Sequence, residues 1–105
     1  MRKITKEAVA AFMDGYAYSN DNTQVIYSQQ DGNMIMSLFD HEIARRFMKR
    51  DGSYAVKIRT AGYATKTTME RLNGIPGVSV SQKKFQLFLN GELWENHRDW
   101  TEVKP

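Results

Sequence analysis

The chain offers few residues suited to bond-making chemistry. Its two histidines are His41, beside Glu42, and His97, near Asp99. A metal site or a proton relay would need them brought together with carboxylates, and no HExxH-type spacing arranges that. The plainer reading is two surface turn residues. With no cysteine there is no thiolate nucleophile, no thiolate metal site and no disulfide framework. Gly74-Ile75-Pro76-Gly77 lacks the Lys-Ser/Thr that completes a phosphate loop, and no GxSxG nucleophile occurs. Twelve acidic residues permit many carboxylate pairs and single out none. The expectation is a protein without catalytic residues, cofactor or metal, and so not an enzyme.

What remains is charge and apolar surface. Fifteen Lys and Arg against twelve Asp and Glu give a net charge of +3, which permits an acidic partner without demanding one. Arg45, Arg46, Lys49 and Arg50 cluster ahead of one turn, Lys57 and Arg59 share a strand face, and Lys83-Lys84 tip a hairpin. These eight residues make the candidate binding face. Lys57 and Arg59 could join Arg45 against phosphates, with Tyr54 or Tyr63 near enough to stack on bases. The competing reading is a solvated face opposite Tyr54, Val56 and Ile58, and neither an RNP aromatic set nor a helix-turn-helix pattern is present. Of the six methionines, Met34, Met36, Met48 and Met69 read as fillers of an irregular core before they read as an adaptable contact surface.

These residues must be positioned by short elements. Ile4–Gly15 reads as a helix with Thr5 as N-cap, an Ile4–Val9 staple, a Val9/Phe12/Met13/Tyr16 stripe and Gly15 as its stop. Ser19–Asn22 is a turn cluster. Thr23–Ser28 is a strand with Val25 and Tyr27 on one face, Gln30–Asn33 a turn, and Met34–Phe39 a central strand. Asp40–Arg50 reads two ways: a helix with Ile43, Ala44, Phe47 and Met48 buried, or a strand within a meander. Tyr54–Arg59 alternates as a strand. Thr67 with Glu70 suggests a capping box on a two-turn helix, ended by Gly74 in the left-handed conformation and by Pro76. Val78/Val80 and Phe85/Leu87/Leu89 then alternate as two strands joined by Gln82-Lys83-Lys84. Asn90-Gly91 is the strongest turn signal and returns the chain through Leu93-Trp94. Trp100 is expected to dock and the tail, about 101–105, to fray.

Several of these phrases together resemble a family of small accessory proteins carried by tailed bacteriophages. Ala61-Gly62-Tyr63, then Thr67–Asn73, Pro76–Val80 with Gln82-Lys83, and Leu89-Asn90-Gly91 with Trp94 carry most of the likeness. Ile4–Phe12 and Ser19–Thr23 carry the rest. Tyr63 stands where that family has tryptophan, and Glu95-Asn96 where it has an Asp-Gly turn. The resemblance implies a strand at Ile43-Ala44-Arg45, which tips 40–50 toward the meander while the helix stays open, and it implies a phage accessory gene product; it carries no known activity or catalytic residue.

The chain, residues 1–105, is thus expected to be a single α+β domain of order α-β-β-β-β-α-β-β, an antiparallel sheet with two helices packed on one side. No apolar run approaches the roughly 20 residues that span a bilayer, and the start lacks a signal-peptide stretch. The expected setting is the host cytoplasm, without a membrane partner. The expected role is binding and modulating a host protein, as host-takeover or anti-defence inhibitors do. A nucleic-acid-binding module is the alternative, and a self-associating homodimer the third reading.

Overall fold

Gly15 stops the first helix as expected, with φ of 89° and its amide bonded to the Ala11 carbonyl. The structure, a computed structural model, describes residues 2–103. Helix α1 is Lys3–Asp14, and a meander follows: β1 Tyr18–Asn20, β2 Thr23–Tyr27, β3 Met34–Leu38, β4 His41–Met48 and β5 Tyr54–Ile58. Helix α2 is Lys66–Asn73, after which come β6 Val80–Lys83, β7 Gln86–Leu89, β8 Glu92–Leu93 and β9 Thr101–Val103. Among the described residues all pairings are antiparallel, in a six-stranded sheet of order β1-β2-β3-β4-β5-β9 and a three-stranded sheet β6-β7-β8.

The α+β class and the two helices are as expected; β1, β8 and β9 are additional strands, and the second hairpin forms a sheet of its own. The tail is corrected over Thr101–Val103, which pairs with Ile58 and Val56 instead of fraying. Residues 104 and 105 lie outside the described residues.

The double meaning of 40–50 has a structural cause. Met36 faces Ala44 while Ser37 faces Glu42, so Ile43 is an extra residue in β4, a bulge. Consecutive residues Ile43 and Ala44 are therefore both buried, which mimics helical periodicity inside a strand. Met34, Met36, Leu38, Val25, Ala44, Val56 and Ile58 form the covered face of the large sheet. Ala8, Ala11 and Phe12 of α1 and Leu72 of α2 pack in the same core, which Val80 and Leu87 of the small sheet and Trp94 complete. Met48 is corrected from core filler to surface, at 63% exposure.

The helix caps depart from the local reading. Thr65, not Thr67, caps α2, accepting from the Thr68 amide at 3.1 Å. Thr5 lies within α1, fully buried. Glu70 does not close a capping box; it reaches α1, accepting the Thr5 hydroxyl and the Arg2 amide (3.3 Å), and it also takes Arg71 Nη1 at 2.6 Å. A carboxylate at the helix N-terminus also complements the backbone dipole. Arg71, with no exposed surface, donates from Nε to Thr23 at 3.0 Å and from Nη1 to Thr5 at 2.7 Å. One arginine thus ties α2 to α1 and β2. Gly74 is right-handed, with φ of −73°, in place of the expected left-handed cap.

Burial opposes ionisation of Glu70, but the Thr5 hydroxyl, the Arg2 amide and the Arg71 and Arg2 charges outweigh it, so its pKa lies below 4.5. A depressed carboxyl contributes stability that is complete above the unfolded pKa and is lost as pH falls through the folded one. Urea unfolding from neutral pH into acid should therefore show a loss of stability below about pH 4.5 that is shallower in Glu70→Gln. Parallel acid profiles for the two proteins would exclude Glu70 as a source.

Candidate binding surfaces

The eight basic residues do not form one face. Arg45 lies on the uncovered side of the large sheet, opposite Ile35 and Lys57. It donates from Nε to Glu42 at 2.9 Å and from Nη1 to Asp31 at 3.2 Å. Arg59, just past β5, donates to the Glu42 carbonyl at 2.8 Å. Trp100 docks here: its ring lies 4.4 Å from the Arg59 guanidinium, 5.4 Å from Lys57 Nζ and 5.9 Å from the Arg45 guanidinium. Lys49 pairs with Glu102 of β9 at 3.1 Å. This group secures the C-terminal segment to the sheet through cation–π and ion-pair contacts, each modest at a partly exposed site.

Arg46, one residue on, faces the other way. It donates to the Phe12 carbonyl at 3.0 Å and lies 4.3 Å over the Tyr54 ring. A cation on the last carbonyls of α1 favours the helix dipole. Tyr54 is thus beneath Arg46, and Tyr63 stacks on His41, so neither joins Lys57 and Arg59 as a base-stacking platform. The reason is the strand's two-residue period, which sends Arg45 and Arg46 to opposite faces. Arg50 is exposed at the β4–β5 turn, and Lys83 and Lys84 belong to the small sheet's hairpin.

Neither histidine is a free surface side chain. His97 Nδ1 lies 2.6 Å from the Thr60 hydroxyl, and its ring meets Trp94 edge-on at 6.1 Å. His41 opens β4 and stacks on Tyr63 with centroids 4.3 Å apart. Among the described residues no three His, Asp or Glu side chains are grouped to hold a metal ion.

Two apolar features escape a period-based reading. The β3–β4 connection is the two-residue turn Phe39-Asp40, with φ of 50° and 66°, the pattern of a type I′ turn. It leaves Phe39 63% exposed. The Phe39 amide is bonded to the Asn22 carbonyl at 2.9 Å, which fixes the turn against the β1–β2 loop. Across from it, Ala61 and Gly62, with φ of 56° and 90°, turn Tyr63 onto His41. Between these two loops opens a pocket of about 260 Å³, lined by Leu38, Phe39, His41, Ile43, Thr60 and Tyr63, almost wholly apolar. A phenylalanine at positive φ is strained by roughly 1 kcal/mol or more. The sequence signal is Asp40: an Asp directly after an apolar run and before a second strand marks a tight turn, which removes Phe39 from the strand.

The second feature is Phe85. It continues the Leu87/Leu89 alternation, which suggests an inward strand residue. Instead Lys83 pairs with Gln86, so Lys84 and Phe85 form the turn, with φ of 51° and 64°. Phe85 is 98% exposed at the hairpin tip. The expected Gln82-Lys83-Lys84 connection is therefore corrected to Lys84-Phe85, with Gln82 and Lys83 inside β6. The clasp behind it explains the register: Asn73 bonds the Val80 carbonyl at 2.9 Å and the Val80 amide at 2.5 Å, so β6 starts at Val80 and runs on through Lys83.

The family model described as Kyanoviridae Gp96 protein matches residues 1–104. No curated protein and no solved structure matches the chain. By this match the chain belongs to the Kyanoviridae Gp96 family of phage proteins.

Proposed function

We propose that this Gp96-family phage protein is a non-enzymatic accessory factor that binds a host protein in the host cytoplasm and alters its action, in the manner of host-takeover or anti-defence inhibitors. One observation carries the reading: an apolar pocket held open at the surface between Phe39 and the Tyr63–His41 stack, with Phe39 at positive φ. A bulky apolar side chain kept both strained and exposed contributes little to folding, and such features concentrate where partners dock. Aromatic anchors beside a pocket are also the residue types that dominate binding energy at interfaces. An interface of about 800 Å² per partner is within the reach of such a domain.

Nucleic acid is served less well. Arg45, Lys57 and Arg59 do share a face, but Asp31 and Glu42 pair Arg45, and Trp100 is already covered by all three cations.

The test is capture from host lysate with wild type and Phe39→Asp. Aspartate tolerates positive φ better than phenylalanine, so the fold is retained. A stoichiometric host protein should be held by wild type and lost about tenfold or more in the variant. Capture of no stoichiometric protein, or equal capture by both, would defeat the proposal.

A further inference from the structure

Phe85 touches almost nothing in its own chain, yet it stands on the narrow end of a two-residue hairpin with Lys83 and Lys84 beside it. The chain also carries a hole of matching chemistry. A cavity of roughly 150 Å³ admits a benzene ring, and the Phe39–Tyr63 pocket measures about 260 Å³ with Leu38 and Ile43 in its lining.

The knob is basic, and the rim of the hole carries charges of both signs. Asp21 and Asp40, both exposed, line a shallow depression with Phe39. The cations near the pocket lie on its other side: Lys66 follows Thr65 at the start of α2, and Arg98 stands beside Gly62. A lysine-flanked ring entering the pocket therefore has one favourable orientation, with Lys83 and Lys84 over the Phe39 rim. Rim charges of this kind fix orientation and speed encounter.

We propose that two copies of this chain associate head to tail, the Phe85 hairpin of one seated in the Phe39–Tyr63 pocket of the other. The proposal shares with the function above only the reading of the pocket as a docking surface. The contact is heterologous, so each pairing leaves one hairpin and one pocket unfilled and assembly grows with concentration unless a ring closes. One aromatic anchor with exposed ion pairs is a weak contact, favoured at high concentration and displaced by a tighter partner.

The experiment mixes complementary variants. Phe85→Asp keeps the pocket and removes the knob, at an exposed position where the fold does not depend on the ring; Phe39→Asp keeps the knob and alters the pocket. Isotope-labelled Phe85→Asp is titrated with unlabelled wild type to about 1 mM and followed by amide NMR shifts. Shifts are expected at 38–43 and 60–65, and none when the titrant is unlabelled Phe85→Asp. Labelled Phe39→Asp should in turn show no shifts at 38–43 or 60–65 on addition of wild type. The titrant Lys83→Glu/Lys84→Glu should reduce the pocket shifts several-fold. Wild type that sediments as a monomer throughout that range, or shifts confined to other residues, would overturn the contact. A monomeric wild type whose Phe39→Asp variant still loses a host protein would end this proposal and leave the proposed function standing. Concentration-dependent association with no host partner would do the reverse.

Discussion

Arg71→Ala is expected to destabilise the fold by about 3–5 kcal/mol in denaturant unfolding at neutral pH. The side chain is completely buried and bonded to Thr5, Thr23 and Glu70, so three elements distant in sequence meet on one guanidinium. Truncation removes the cation beside a partly buried carboxylate, strips two threonine hydroxyls of their donors and leaves a cavity. Shape and charge can be separated. Arg71→Met refills most of the volume and should cost less than Arg71→Ala, while Arg71→Met with Glu70→Gln should cost less again, because no unpaired carboxylate remains. Arg71→Lys should remain costly, since an ammonium lacks the guanidinium's fork and reaches Thr5 and Thr23 poorly together. Arg71 Nη2 is buried with no protein partner among the described residues. A loss below about 1 kcal/mol for Arg71→Ala would show that the network contributes little to stability.

Gly74→Ala is the second large effect, and its sign is decided by two opposing quantities. At φ of −73° alanine adopts the backbone without strain, and restricting the unfolded chain would favour it by about 0.4–1 kcal/mol. A Cβ there, however, would stand 2.7 Å from Thr5 Cγ2 and 2.8 Å from Val9 Cγ2. Val9 inside α1 is held near one χ1 rotamer, and the Thr5 side chain is held by the bonds of its hydroxyl to Glu70 and Arg71, so neither methyl swings aside freely. Overpacking of this kind typically costs about 1–3 kcal/mol, which outweighs the entropic gain. Gly74→Ala should therefore lower the unfolding midpoint, and Gly74→Ala with Val9→Ala should recover part of the loss by opening space, a coupling measurable as a double-mutant cycle. Additive or stabilising behaviour would mean that α1 shifts freely against the end of α2. The glycine is required by a close approach of two helices, a reason different from the left-handed cap that its place before Pro76 suggests.

These two residues also mark where local chemistry stops deciding. At several positions one residue's backbone tolerance or strict alternation is legible in the chain alone. Gly15 takes φ of 89° at the end of α1, and Asn90-Gly91 takes 52° and 86° in a tight turn, because these types tolerate those angles wherever they occur. Thr23–Tyr27 and Tyr54–Ile58 form strands in an alternating pattern, and the class with its two helices follows from such segments. Choices between local alternatives of similar energy fall instead to long-range packing. Glu70 leaves its own helix for the amide of Arg2 and the hydroxyl of Thr5, since a capping contact worth about 1 kcal/mol is matched by another once α1 lies alongside. The bulge at Ile43 buries two neighbours at once, which no fixed period describes. The two-residue turns at Phe39-Asp40 and Lys84-Phe85 expel aromatic rings that continue an apolar pattern, because strand register is set by the facing strand and not by the ring's own preference. The same pairing divides Arg45 from Arg46, and so the apparent basic cluster becomes a clamp on Trp100 on one face and a cap on α1 on the other.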